Sequence, residues 1–305
     1  MKPYILVIGS SNTDMVVKAD RLPAPGETIL GGTFLMTAGG KGANQAVAAA
    51  RLGGDVVFIV KVGDDIFGRQ AVQSFNEEGI DTSHIITDPV NPSGVALITV
   101  DAKAENCIVV ASGANANLMP GDLHKAEEKI KNAALILMQL EIPLETVEYV
   151  AELASAHHVP LILNPAPACT LSDELLSKVS IITPNQKEAE MLTGLRITDK
   201  ESAQTAAELL AENGIETVII TLGANGALVF HGNHFDWVPA PVVSAVDTTA
   251  AGDVFNGALA VAVSEGKNID EAVIFANKAA ALSVTKMGAQ TSAPYRRETE
   301  DFMQI

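Results

Sequence analysis

The sequence predicts an α/β fold: a doubly wound, mostly parallel sheet flanked by helices, with a small β-sheet lid. Three observations lead there. Short β-branched runs alternate along the chain with longer stretches rich in Ala and Glu, the order that winds helices over a parallel sheet. The composition is 48% hydrophobic but only 4% aromatic, which suits strands buried on both faces by helices. Two regions, about 15–38 and 93–111, keep strand periodicity with no helix between their strands and form the expected lid. The 305 residues are expected to make one domain, 1–305, with ample chain to bury a core.

Taken in order, Tyr4–Gly9 is the first strand, and Met15–Ala38 leaves the sheet around Leu22-Pro-Ala-Pro-Gly26. A helix is expected over Ala43–Leu52 and a strand over Val56–Val62. Ser93–Ala111 reads as a hairpin about Asp101–Glu105. Strands follow at Leu135–Leu140, Pro160–Leu163, Ile181–Thr183 and Thr217–Thr221; a strand-like Ala240–Val246 then leads to a helix over Val254–Ser264. In such sheets ligands bind beyond the C-terminal strand ends, which directs attention to Gly9–Asp14, Glu141, Asn164, Asn185 and Gly223. An apolar lid face needs a partner, so a homodimer through the lid is expected.

The net charge of −17 argues against nucleic acid or an anionic membrane as partner, but leaves room for a phosphate held by backbone N–H groups. No apolar run approaches the roughly 18 residues that span a bilayer. The chain opens without a basic, cleavable leader, and its two cysteines, Cys107 and Cys169, imply no disulfide framework; a cytoplasmic location is expected.

Asp247-Thr-Thr-Ala-Ala-Gly-Asp253-Val-Phe-Asn-Gly-Ala258 is the most informative segment. Its tiny residues lead into a helix, where the N–H groups of Ala250, Ala251, Gly252 and Asp253 are expected to face an anion unobstructed. Asp253 in that turn is a candidate general base for a hydroxyl attacking a phosphoryl group, although an acid there also simply favours the helix dipole. Ala38-Gly-Gly-Lys-Gly-Ala-Asn-Gln45 gathers three glycines, a cation and an amide, without the spacing of a P-loop or a dinucleotide fingerprint. Either it is a generic Gly-rich helix opening, or Gly40, Lys41 and Asn44 hold a polyhydroxylated ligand. Asn12 and Asp14 end the first strand, where an amide and a carboxylate suit vicinal hydroxyls as well as a turn. Asn185 and Glu188 fit a capping box, with a second role beside a metal–nucleotide complex left open. The Gly pair of Thr221-Leu-Gly-Ala-Asn-Gly226 fits either a turn or a nucleotide resting on backbone. His157, His158, His231 and His234 complete no zinc pattern.

This constellation resembles the ribokinase-type carbohydrate kinases over essentially the whole chain. Gly39-Gly-Lys-Gly-Ala-Asn44 looks like the first family signature, and Asp247-Thr-Thr-Ala-Ala-Gly-Asp253 looks like the second. Ser11-Asn-Thr-Asp14, Gly113-Ala-Asn115, Met138-Gln-Leu-Glu141, Asn164-Pro-Ala-Pro167 and Gly288-Ala-Gln290 strengthen the likeness. The resemblance implies ATP-dependent phosphorylation of D-ribose at O5. It gives Asn12, Asp14, Gly40, Lys41, Asn44 and Glu141 to the sugar and makes Asp253 the base. It gives Asn185, Glu188, Thr221, Gly223, Gly226 and Asn277 to the nucleotide and its Mg²⁺. Asp247, Thr249, Gly288 and Ser292 match the region that holds an activating monovalent cation, expected to be K⁺. Two positions depart from the wider family: Ala250 stands where Gly is usual, and Gln186 where Glu is common.

The rival expectations are a kinase of 2-deoxyribose or of a nucleoside, and a non-catalytic sugar-binding protein on the same fold. A dinucleotide-dependent oxidoreductase is disfavoured by the missing Gly-x-Gly-x-x-Gly.

Overall fold

The computed structural model describes residues 3–103 and 105–302. In chain order it runs β1 (Ile5–Ile8), β2 (Asn12–Lys18), β3 (Thr33–Gly39), α1 (Lys41–Arg51), β4 (Val56–Ile59), β5 (Lys61–Gly63), α2 (Ile66–Glu77), β6 (Ile86–Asp88), β7 (Gly94–Val100) and β8 (Asn106–Ala111). There follow α3 (Glu127–Lys131), β9 (Leu135–Met138), α4 (Leu144–Ala156), β10 (Leu161–Leu163), α5 (Asp173–Leu176), β11 (Ile181–Ile182), α6 (Gln186–Thr193) and α7 (Lys200–Ala211). The chain closes with β12 (Thr217–Thr221), β13 (Ala227–His231), β14 (His234–Val238), α8 (Ala251–Ser264), α9 (Ile269–Ser283) and α10 (Arg296–Asp301).

The main sheet has the order β14-β13-β12-β11-β10-β9-β1-β4. From β4 to β12 neighbouring strands are parallel, and β13 and β14 add an antiparallel edge. Alternate residues of one strand serve opposite cores. Leu6, Ile8, Ile136 and Met138 pack with Val147 and Val150 of α4 and Ala203 and Ala206 of α7. Ile5, Val7, Leu135 and Leu137 pack instead with Val47 of α1, Leu259 and Val261 of α8, and Ala276 of α9. Such two-sided burial explains why these strands read as continuous apolar runs.

The lid is the separate four-stranded sheet β3-β2-β7-β8, joining the two regions expected to form it, and its β7–β8 hairpin turns where Asp101 N–H donates to Glu105 O at 2.9 Å. Two expectations need correction. Val56–Val62 is two strands: β4 stays in the main sheet, while β5 pairs with β6 in a small parallel sheet. Ala240–Val246 is not a strand; Pro239 and Pro241 each withhold an N–H, and Val242 lies fully exposed. The helix after it starts at Ala251, not Val254, and α1 starts at Lys41, not Ala43.

Candidate active site

Helices α1 and α8 start side by side at the C-terminal edge of the sheet, and their first turns form the centre of a cleft. Its lining includes Lys41, Asn164, Asn185, Glu188, Thr221, Thr248, Ala250, Ala251, Gly252 and Asp253.

Asp253 sits in the first turn of α8, buried. Asn44 Nδ2 donates to its Oδ2 at 2.9 Å, and Gln45 Nε2 donates to its Oδ1 at 3.0 Å. Burial raises the pKa of this carboxyl, Lys41 and the two amides oppose the rise, and Glu141 adds to it. The result is a buried carboxyl with an amide donor on each oxygen. Ala250 precedes the helix in the left-handed region, at φ 59°, and turns the chain so that the helix start faces the cleft. Ala251 N–H bends back to Thr248 O at 3.3 Å, so of the expected anion-binding groups those of Gly252 and Asp253 are the better presented.

On the sugar-facing side, Asn12 begins β2 and Asp14 follows two residues later on the same strand face. Asn115 Nδ2 donates to Asn12 Oδ1 at 2.8 Å, which fixes the Asn12 amide with its NH₂ available. Asp14 is pushed up to about 6 by burial, with Glu141 and Asp253 adding repulsion. Glu141 follows β9; its Oε2 accepts from Ser10 Oγ at 2.5 Å and from Lys41 N–H at 3.0 Å. Gly40 takes φ 89°, and a Cβ there would lie 2.7 Å from Asn12 N, so glycine alone lets the α1 turn touch the start of β2. The Lys41 ammonium loses hydration on burial, yet Asp253, Glu141 and Glu188 more than compensate and raise its pKa. Asn44 Oδ1 is buried with no hydrogen-bond partner, an acceptor ready for a ligand hydroxyl.

Of the residues expected to bind nucleotide, Asn185, Glu188 and Thr221 line the cleft, while Gly223, Gly226 and Asn277 are not among its lining. Asn185 and Glu188 do form the capping box: Glu188 N–H donates to Asn185 Oδ1 at 2.9 Å and Asn185 N–H to Glu188 Oε2 at 2.8 Å. Both also line the cleft, so the structural and the ligand-facing readings hold together. Burial raises the Glu188 pKa, against the pull of Asn185 N–H and Lys41. Gln186 spends its amide on Ile197 O at 2.8 Å. Thr221 ends β12 beside Asn185, and Gly223 and Gly226 bound the turn to β13. Asn277 on α9 is buried and donates to Val238 O at 3.1 Å, anchoring the loop that leaves β14.

Asp247 joins two loops: its Oδ1 accepts from Thr249 N–H at 3.0 Å and its Oδ2 from Gly288 N–H at 2.9 Å. Ser292 lies in the same second loop, its Oγ donating to Ala289 O at 2.8 Å. Burial would raise the Asp247 pKa, but these donors lower it overall. Among the described residues no group of three or more His, Cys, Asp or Glu side chains could hold a metal ion.

Several positions that the structure draws into the site had no role assigned in the sequence, Gln45, Asn115, Gln139, Thr183 and Asn256, while Ser10 and Asn164 were marked there only as strand-end positions. Gln45 Nε2 also donates to Asn164 Oδ1 at 3.0 Å, and Thr183 Oγ1 donates to Asn256 Oδ1 at 2.6 Å. Asn256 Nδ2 in turn donates to Gly252 O at 2.8 Å. Their signal was position, since Gln45 follows Asn44 directly and Asn256 lies one helical turn after Gly252.

A buried carboxylate between a Gly-rich turn and a small-residue helix start is the arrangement on which the two sequence signatures converge, and the model of the pfkB family carbohydrate kinases matches residues 2–296. The chain belongs to that family. It is 48% identical to the ribokinase of Haemophilus influenzae over 304 residues, covering 100% of this chain and 99% of the relative. It is 38% identical to the deoxyribokinase of Salmonella typhi over 302 residues, 99% of each chain. Among solved structures, Arabidopsis thaliana ribokinase complexed with ribose and ATP superposes with a TM-score of 0.95 at 32% identity, covering 100% of both chains.

Proposed function

We propose that this pfkB-family kinase transfers the γ-phosphoryl group of ATP to O5 of D-ribose, giving ribose 5-phosphate, with Asp253 as general base. The observation that carries the reading is the Asp253 carboxylate, aimed by Asn44 and Gln45 beside the N–H groups that open α8. The ribokinase of H. influenzae and the ribose- and ATP-bound plant enzyme support the substrate pair.

Phosphoryl transfer asks the protein for positioning and charge neutralisation more than for covalent chemistry. Asn12, Asp14, Gly40, Lys41, Asn44 and Glu141 would hold the sugar so that its primary hydroxyl reaches Asp253, which takes the proton as the O–P bond forms. The Gly252 and Asp253 N–H groups, with Ala250 and Ala251 shaping the turn, and the Lys41 ammonium would stabilise charge on the transferring group. Thr221, Gly223, Gly226 and Asn277 would border the nucleotide.

Glu188 and Asn185 are the residues that would hold Mg²⁺. A single carboxylate completed by water and substrate phosphates suits that ion, and Glu188 Oε1 carries no protein hydrogen bond among the described residues. When bound, Mg²⁺ supplies charge neutralisation for the phosphates. Asp247, Thr249, Gly288 and Ser292 bring together one carboxylate and loop backbone, a donor set that fits a monovalent cation such as K⁺ better than a divalent one. A cytoplasmic homodimer paired through the lid completes the proposal. Phe34, Met36, Leu97 and Val109 are exposed, and their register places them on the lid face opposite Asp14.

The reading favoured second is a kinase of 2-deoxyribose, supported by the deoxyribokinase relative. Asn12 with Asp14 favours an acceptor bearing neighbouring hydroxyls. Intact Asp253 and Lys41 weigh against a non-catalytic binding protein. The test is ADP release with MgATP and K⁺ across ribose, 2-deoxyribose, fructose and adenosine, with Asp253→Asn as control. Ribose-dependent turnover, lowered by roughly 10²–10⁴ in the variant, is expected. Preference for another acceptor moves the substrate, and near-normal turnover of the variant removes Asp253 from its role.

A further inference from the structure

Behind Asp253, the Gln45 amide that aims it is itself held in a chain of buried amides whose other members the reaction as described leaves without a task. Gln139 Nε2 donates to Gln45 Oε1 at 2.6 Å. Gln45 Nε2 then donates to both Asp253 Oδ1 and Asn164 Oδ1, each at 3.0 Å. Asn164 Nδ2 continues to Thr183 O at 3.3 Å. Gln45 and Gln139 are both fully buried.

An amide side chain has one acceptor end and one donor end, and only its partners decide which faces a given neighbour. Gln139 can present a donor to Gln45 only when the Gln45 carbonyl points away from Asp253. Gln139 Oε1 lies against the bare backbone of Gly9 with no hydrogen-bond partner, so its orientation is set by Gln45: a reversed Gln139 would turn its carbonyl on Gln45 Oε1 and lose the hydrogen bond between them. A reversed Gln45 would set its Oε1 against the Asp253 carboxylate, a pairing that survives only if Asp253 carries a proton.

We propose that Gln45, locked in one orientation by Gln139, is a positioning residue that keeps Asp253 ionised and aimed at the acceptor hydroxyl. The proposal rests on Asp253 being the general base. Other charged groups also face Asp253: Lys41 from α1 and Glu188 from α6, Asp14 from β2 and Glu141 after β9. Burial raises the Asp253 pKa most and the three acids add to the rise, while Lys41 and the hydrogen bonds of Asn44 and Gln45 oppose it, so losing either amide lets the carboxyl rise further.

The experiment is the pH dependence of kcat/KM for ribose at saturating MgATP, for Gln45→Met, Gln139→Met and Asp253→Asn, with folding checked by circular dichroism. The acid limb carries the ionisation of the base and of Asp14, which is pushed up to about 6 and is common to every variant, so a shift between variants reports the base. In Gln45→Met it is expected to move up by about one pH unit, because a hydrogen bond to a charged group is lost. Turnover well below the limb falls about tenfold. Gln139→Met keeps Gln45 but frees its orientation, so its limb moves the same way by less. A limb unmoved in folded Gln139→Met and Gln45→Met overturns the proposal. If Gln45→Met does not fold, an unmoved limb in Gln139→Met overturns it alone. The Asp253→Asn control separates the two ideas: high residual activity there defeats the base assignment, whereas an inactive control with unmoved limbs defeats only the role of Gln45.

Discussion

Asn44 Nδ2 and Asp253 Oδ2 lie 2.9 Å apart although 209 residues separate them in the chain. This contact ties the Gly-rich start of α1 to the small-residue start of α8, so the residues assigned to the sugar and the base move as one unit. Asn44→Asp would set a second carboxylate against Asp253 in a site closed to water. Like charges at that distance cannot both ionise, and one of the pair keeps a proton at neutral pH. The expected outcome is a loss of kcat/KM for ribose of about 10²-fold or more at pH 7.5, partly recovered at higher pH, while Asn44→Ala loses less. Steady-state rates between pH 6 and 9 check this, and an Asn44→Asp enzyme with a wild-type profile would contradict the contact's importance.

How much of this was legible in the sequence depended on the range of each interaction. The strands announced themselves because burial on both faces leaves an unbroken apolar run, as in Ile5–Ile8 and Leu135–Met138. Ala240–Val246 carries similar residues but follows Pro239, contains Pro241 and has no strand beside it, the last a fact that only the folded sheet reveals. Asp253, Lys41 and Asn44 stood out because their segments are odd in composition. Gln45 and Gln139 did not, and Asn164 was marked only by its strand end, because neutral amides in ordinary positions gain meaning only from partners about a hundred residues away. The capping box of Asn185 and Glu188 shows the converse, a local pattern correctly read whose position at the cleft needed the fold.

Asp14 gives the ligand-free protein a pH-dependent weakness. Its carboxyl rises from the ordinary 3.8 to about 6, first through burial and then through Glu141 and Asp253. A carboxyl with a raised folded-state pKa supports folding fully below its unfolded value and loses that support as pH climbs through about 6. Asp14→Asn is therefore expected to match the wild type near pH 4 and to be the more stable by pH 7, by at most about 3 kcal/mol, while its KM for ribose rises. Urea unfolding without ligands at pH 4 through 8 measures the divergence. Parallel stability curves would mean that Asp14 is better solvated than its burial implies.

Ala250 occupies the left-handed region at φ 59° at the start of α8. An L-residue with a Cβ pays roughly 1–2 kcal/mol there, a cost glycine avoids but partly returns through the greater freedom of its unfolded chain. Ala250→Gly is expected to stabilise the protein by up to about 1 kcal/mol and to leave kcat within about twofold, because the N–H groups of Gly252 and Asp253 keep their direction. Thermal unfolding and steady-state kinetics on the same preparation check both halves. A stabilised but inactive variant would show that the Ala250 methyl shapes the turn, which its backbone alone then fails to do.

The lid carries the last prediction. Leu97 on β7 pairs directly with Val109 on β8, and Met15 and Met36 continue the same face across β2 and β3. Leu97 is 52% exposed and Val109 61%, with Phe34 at 59% nearby, an apolar surface larger than scattered single residues explain. A second lid placed against it would remove that surface from water, and the exposed lid edges β3 and β8 would gain a neighbour. Leu97→Glu with Val109→Glu sets like charges opposite one another on that face, which costs pairing energy without touching the main sheet. Sedimentation velocity is expected to give a dimer for the wild type and a monomer for the double variant. Because β2 carries Asn12 and Asp14 on the same lid, the monomer is also expected to bind ribose more weakly, seen as a raised KM with a smaller change in kcat. A wild-type monomer would refute the dimer, a double variant that stays dimeric would place the interface elsewhere, and a monomeric variant with unchanged KM would show that each lid holds its own sugar residues without help from a partner.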